Sequence, residues 1–146
     1  MTKDVLTESA NHLSQACCET IEEYKNKSSL LVSKMNASML KKSNLINIVG
    51  SDNIEMMKDN HANHVQFISS ILKYKNTAVL IETIIWVFRT YRSHGFSIEY
   101  WSVQLNEWIN ILKEELSQNI FDEIIPYYKW MLLNIPSFVL LSEQNT

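Results

Sequence analysis

Glycine and proline are nearly missing from this chain: there are two of each in 146 residues. Each one absent removes a site where a tight turn is easily built, so long helices with few turns are expected. The same scarcity excludes a glycine-rich loop that could cradle a phosphate. There is also no nucleophile elbow, no HExxH pair and no recognisable frame of paired carboxylates. The chain reads as a protein that is not an enzyme.

A basic excess is lacking too. Net charge is −3, and among 13 Lys and Arg residues only Lys41 and Lys42 are neighbours. Binding to a phosphate backbone needs a basic stripe, so nucleic acid is excluded as a partner. The opening MTKDVLTESANHLSQ is polar where a secretory leader would be apolar. The longest apolar runs, Ile84–Phe88 and Phe138–Leu141, fall far short of the roughly 20 residues that span a bilayer. A cytoplasmic protein with no membrane span is expected. The two cysteines, Cys17 and Cys18, are adjacent and read as small core fillers rather than a bridge.

What is present is apolar content of 46% laid out at helical spacing. The periodicity predicts a first helix from Lys3 to Tyr24, broken at Lys25-Asn26-Lys27, and a second from about Ser29 to Val49, stopped by Gly50. A third runs from Ser51 or Asp52 to about Tyr74, and a fourth from Thr77 to His94-Gly95. A fifth follows Ser97 to about Leu116, and a sixth runs from about Asn119 to Leu140, with a bend at Pro136. The fourth helix, Val79 to Tyr91, is apolar nearly all round and should be buried by its neighbours. The sixth carries apolar residues on two sides, so part of it should meet a second subunit, giving a homodimer through the first and sixth helices. Residues 1–146 form a single all-α domain on this reading.

Two sets of polar residues interrupt the apolar pattern. His61 and His64 occupy positions of the stripe Ile54, Met57, Val65, Ile68, Ile71 and Leu72, so both imidazoles should point inward. They are either core histidines bonded to backbone or tyrosine hydroxyls, or groups that hold an internal ligand or anion. A metal is not expected, since no Asp, Glu or Cys completes a ligand set. Arg89 and Arg92 are the second set. Arg89 lies two turns beyond Glu82 on one helical face, and is either half of a surface ion pair or a buried cation needing an anion. Tyr74, Tyr91, Tyr100, Tyr127 and Tyr128, with Trp86, Trp101, Trp108 and Trp130, give an aromatic-rich interior. Six methionines make that interior adaptable to a flexible apolar ligand. The expected site is a dry apolar cavity closed at one end by His61, His64, Arg89 and Tyr91, with Trp86 and Tyr128 as further ligand-binding residues.

The stretch HVQFISSILKYKNTAVLIETIIWVFRTYRSHGFSIEYWSVQLNEWINILKEEL, from His64, followed by IIPYYKWMLLNIPSFVLLSEQ, resembles the non-haem globin sensor domains. These precede output modules in bacterial stress and sporulation regulators. The stand-alone sporulation-inhibitory proteins of anthrax plasmids, which mimic the sensor domain of a sporulation histidine kinase, are the nearest in pattern. The resemblance implies a globin-like bundle, about six helices in this chain, and a homodimer. It also implies a fatty acid with a chloride or other halide in the cavity where a globin holds haem, and a role in diverting the activating signal from the kinase. No output module follows the sensor-like pattern before Thr146. Two alternatives stand beside this one: a ligand-independent protein that pairs with a sensor kinase or stressosome component, and a haem or cobalamin sensor using His61 or His64. A globin also needs a proximal histidine, and Thr77–Ser93 has none, so no haem is expected.

Overall fold

A computed structural model describes residues 2–144. Among them there are eight α-helices: α1 (Thr2–Asn11), α2 (Cys18–Leu40), α3 (Leu45–Val49), α4 (Ile54–Lys73), α5 (Thr77–Ser93), α6 (Glu99–Glu115), α7 (Gln118–Leu133) and α8 (Ile135–Glu143). The all-α expectation holds, and the count of six is corrected to eight. No single helix among the described residues is long and apolar enough to cross a membrane.

The first break falls at residues 12–17, not at Lys25-Asn26-Lys27, and its cause is tertiary. The Tyr127 hydroxyl donates to the Ser14 carbonyl at 2.8 Å, and the Lys75 ammonium donates to the carbonyls of Asn11 and Leu13. Gln15 donates to the carbonyls of Leu72 and Lys73 and accepts from the Lys75 amide. Backbone groups that a continuous helix would satisfy internally are thus satisfied by α7 and the α4–α5 connection. The start of α2 is capped from a distance. The Glu123 carboxylate of α7 accepts from the Cys17 amide at 2.6 Å and from the Thr20 hydroxyl at 2.9 Å. Those donors, the amide above all, hold the Glu123 carboxyl below the usual carboxylate range. Cys17 and Cys18 are exposed here, which corrects their reading as core fillers. Lys25 and Asn26 are simply the solvent face of a continuous helix.

The expected second helix ends at Leu40, and its remainder is the short α3. The expected sixth splits at Asn134, where α7 and α8 meet at a bend of 51°. Pro136 lies in the first turn of α8, where its missing N–H costs nothing. The fourth helix matches its expected limits and is capped by Asn76, whose side chain accepts from the Val79 amide at 3.1 Å. It is not buried all round. Leu80, Ile81, Ile84, Ile85, Phe88 and Tyr91 face the core, while Val79 and Trp86 stay exposed. Tyr74, expected inside, is exposed as well.

Helix α2 packs along α4, α5 along α8, and α6 along α7, while α1 lies across α5 and α8. So α4 and α5, though consecutive, each lean mainly on a different partner. The turn into α4 is fastened to the end of α5. Asn53 Nδ2 donates to the Val49 carbonyl at 2.7 Å and the His94 carbonyl at 2.8 Å. Gly50 beside it has φ +94°, and a Cβ there would come within 3.0 Å of the Asn53 amide nitrogen. Asn53→Ala should leave two carbonyls without their donor and cost about 1–3 kcal/mol, lowering the thermal midpoint by about 3–8 °C in calorimetry.

Candidate functional site

The gap between α4 and α5 encloses a cavity of about 240 Å³. Phe67, Ile84, Phe88, Leu105, Met131 and Phe138 give it apolar walls from five helices. Asn60, His64, Tyr91 and Gln104 form a polar side, and Trp86 and Asn63 lie at the rim. Trp86 is 59% exposed, so the mouth opens between α4 and α5 beside it.

The polar side is built by α4 and α6, with Tyr91 from α5. Gln104 Nε2 donates to Asn60 Oδ1 at 2.6 Å, and the Tyr100 hydroxyl donates to the same oxygen at 2.8 Å. Asn60, Gln104 and Tyr100 are all buried, as such groups can be only when bonded to one another. Among the described residues two buried side-chain groups lack partners. They are the indole N–H groups of Trp101 and Trp108. Gln104 Oε1, on the cavity side, also has no hydrogen-bond partner among the described residues.

His64 lines the cavity, half-buried, and stacks on Trp108 with ring centres 4.9 Å apart. Its Nε2 is 2.7 Å from the Tyr128 hydroxyl, which is 2.7 Å from the Tyr24 hydroxyl. Either Tyr24 donates to Tyr128 and Tyr128 to His64, or the chain runs in reverse from a protonated Nε2. In both orders Nδ1 has no partner among the described residues. Burial, and secondarily the neighbouring His61, push the His64 pKa down to about 3. Burial raises both tyrosine hydroxyls well above their ordinary value. The whole chain is therefore uncharged at neutral pH.

The residues singled out from sequence divide three ways. His64, Tyr91 and Trp86 line the cavity. His61 and Tyr128 stand behind it. His61 is fully buried, donating from Nδ1 to Asn36 Oδ1 at 2.6 Å, with Nε2 3.4 Å from the Tyr100 hydroxyl. Burial lowers its pKa to about 3, so it is a neutral core histidine rather than a cavity wall. Arg89 belongs to neither group. It is exposed and donates to the carbonyls of Leu141, Ser142 and Gln144 at 3.3–3.4 Å. A guanidinium suits the carbonyl-rich end of α8, so Arg89 caps that helix and does not close the cavity. Arg92 pairs beside it with Glu143 at 3.2 Å. The Glu82 partner is Lys3 of α1, not Arg89.

Asn60 and Gln104 were missed. Gln104 interrupts the stripe Trp101, Leu105, Trp108 and Leu112 as His64 interrupts its own, so the same signal marked it. Asn60 lies one turn before His64 on the inward face. Among the described residues no cluster of three or more His, Cys, Asp or Glu could hold a metal ion. No family model, curated protein or solved structure matches the chain.

Neutral histidines have a thermodynamic signature. The unfolded chain takes up protons at both imidazoles below pH 6.5, while the folded chain refuses them until about pH 3. The stability these groups confer is complete above pH 6.5 and is lost as pH falls from 6.5 towards 3. Each contributes a slope of up to about 1.4 kcal/mol per pH unit. His64→Leu should remove about half of the stability lost between pH 6.5 and 5, above the carboxylate range. Urea midpoints at those pH values check it.

Proposed function

We propose that this chain is a sensor-type binding domain whose cavity captures a small ligand with an acyl chain. The observation that carries this reading is an apolar cavity, open at one rim, lined by Gln104 and His64, whose hydrogen-bonding capacity is not all consumed among the described residues. An apolar cavity of about 150 Å³ takes a benzene, so 240 Å³ corresponds to about ten heavy atoms. That matches a fatty acid of about eight carbons, or the inserted end of a longer one leaving past Trp86. Each buried CH₂ contributes about 0.8 kcal/mol before the costs of ordering are subtracted. A haem or cobalamin macrocycle is several times too large for this space, which counts against that alternative.

On the family resemblance alone, the proposal extends to a role in blocking sporulation by diverting the signal of a sensor histidine kinase. A homodimer has support from the surface. Val5 on α1 is 67% exposed, and Leu133 and Leu140 on α7 and α8 are 79% and 50% exposed. These are the segments expected to meet a second copy.

Mass spectrometry of the purified, denatured protein should release an acyl compound, and calorimetry on stripped protein should show octanoate binding. Ile84→Phe should fill the cavity and weaken that binding at least about tenfold while leaving the helical circular dichroism unchanged. Failure of every acyl compound to bind would remove this reading. Sedimentation at tens of micromolar should show a dimer, and Leu133→Glu with Leu140→Glu should shift it to monomer.

A further inference from the structure

The polar side of the cavity contains no charge of either sign. Among the described residues its lining has no Lys, Arg, Asp or Glu. The two arginines of α5 are held at the end of α8 by carbonyls and by Glu143. The polar side is also deep: Asn60 and Gln104 are buried, whereas Trp86 and Asn63 at the rim are exposed.

We infer, on the acyl-ligand reading above, that the cavity takes its ligand head-first and uncharged. The head would be a group that both donates and accepts hydrogen bonds, such as a protonated carboxyl, a primary amide or an alcohol, and not a carboxylate. The free capacity at the polar side is of mixed kind. Gln104 Oε1 is an acceptor without a partner among the described residues. His64 Nδ1 donates in one tautomer and accepts in the other. A carboxylate only accepts, so it would face the Gln104 oxygen with no proton between them and no cation to offset its desolvation. A neutral head group satisfies both kinds of protein atom.

The surrounding titratable groups support the assignment. They are His61 and His64 from α4, Tyr91 from α5, Tyr100 from α6, Tyr128 from α7 and Tyr24 from α2. None of them carries charge between pH 5 and 8, because burial depresses both histidines and raises the tyrosines. Asp59 acts on Tyr91 through space and strengthens its hold on its proton. The protein side of the site thus keeps one protonation state over that range, and any pH dependence of binding belongs to the ligand.

The test is calorimetric titration of the full chain with octanoate and with octanamide at pH 5.5, 6.5 and 7.5. An alkyl carboxyl ionises near pH 4.3, as glutamate does, so its neutral fraction falls about 100-fold between pH 5.5 and 7.5. The apparent octanoate affinity should fall by that factor. Octanamide affinity should stay within about twofold and exceed that of octanoate at pH 7.5. Octanoate binding equally well at all three pH values would overturn the inference. The carboxylate would then lie at the rim, in the surface groove that Lys3 and Arg89 share with Trp86. Binding of neither compound is a different result, which overturns the acyl-ligand reading and this one with it.

Discussion

Tyr128 stands where three helices meet. Its hydroxyl lies 2.7 Å from both the Tyr24 hydroxyl of α2 and the His64 imidazole of α4. All three groups are taken out of bulk water, and each would cost about 1–3 kcal/mol if left alone. Together they form a chain in which every member has a partner, and that chain is neutral. The requirement to keep it intact sets how α2, α4 and α7 approach one another. It also turns His64 so that one ring face lies on Trp108. A second polar cluster, Asn60 with Tyr100 and Gln104, performs the same service between α4 and α6. Hydrogen bonds are directional where hydrophobic contact is not, so these clusters select one arrangement among the many that would bury the same apolar area.

The cavity is a consequence of those choices. With α4 drawn towards α2 and α6 by its polar residues, and α5 held along α8, the two consecutive helices do not close on each other. The aromatic packing of Phe88 on Trp101 and Phe138, at ring separations of 4.3 Å and 5.5 Å, props the space from one side. Large flat rings cannot fill an irregular gap as methyl groups do, and close packing is lost there. The Arg89 contacts with the last carbonyls of α8 hold that side in place, which gives this arginine a structural role in the site without placing it inside.

Much of this was legible in sequence. The inward stripes of α4 and α6 were readable from spacing, as were the limits of α5 and a bend close to Pro136, which the structure places at Asn134. The reason is that helical period and proline chemistry are local properties. The interruption of an apolar stripe by His64 pointed correctly to a polar group at an internal space. The same signal at Gln104 was equally visible and passed over. His61 illustrates the limit of such a signal: it obeys the same pattern as His64, yet its ring reaches Asn36 and has no share of the cavity.

What the sequence by itself determined is the class of the molecule: all-helical, rich in aromatic and methionine packing, and without a loop that could hold a phosphate. These follow from composition and from periods of a few residues, which any fold of this chain must respect. Only the tertiary structure decided where helices break, which polar residues meet and what Arg89 does. The break at residues 12–17 exists because Tyr127, Lys75 and Leu72, far away in sequence, supply or take the hydrogen bonds that a helix would have used. Arg89 found carbonyls at the end of α8 before it could find an anion in the core. A charged group settles with whichever partner leaves it most hydrated, and the identity of that partner is a matter of three-dimensional proximity that spacing along the chain does not encode.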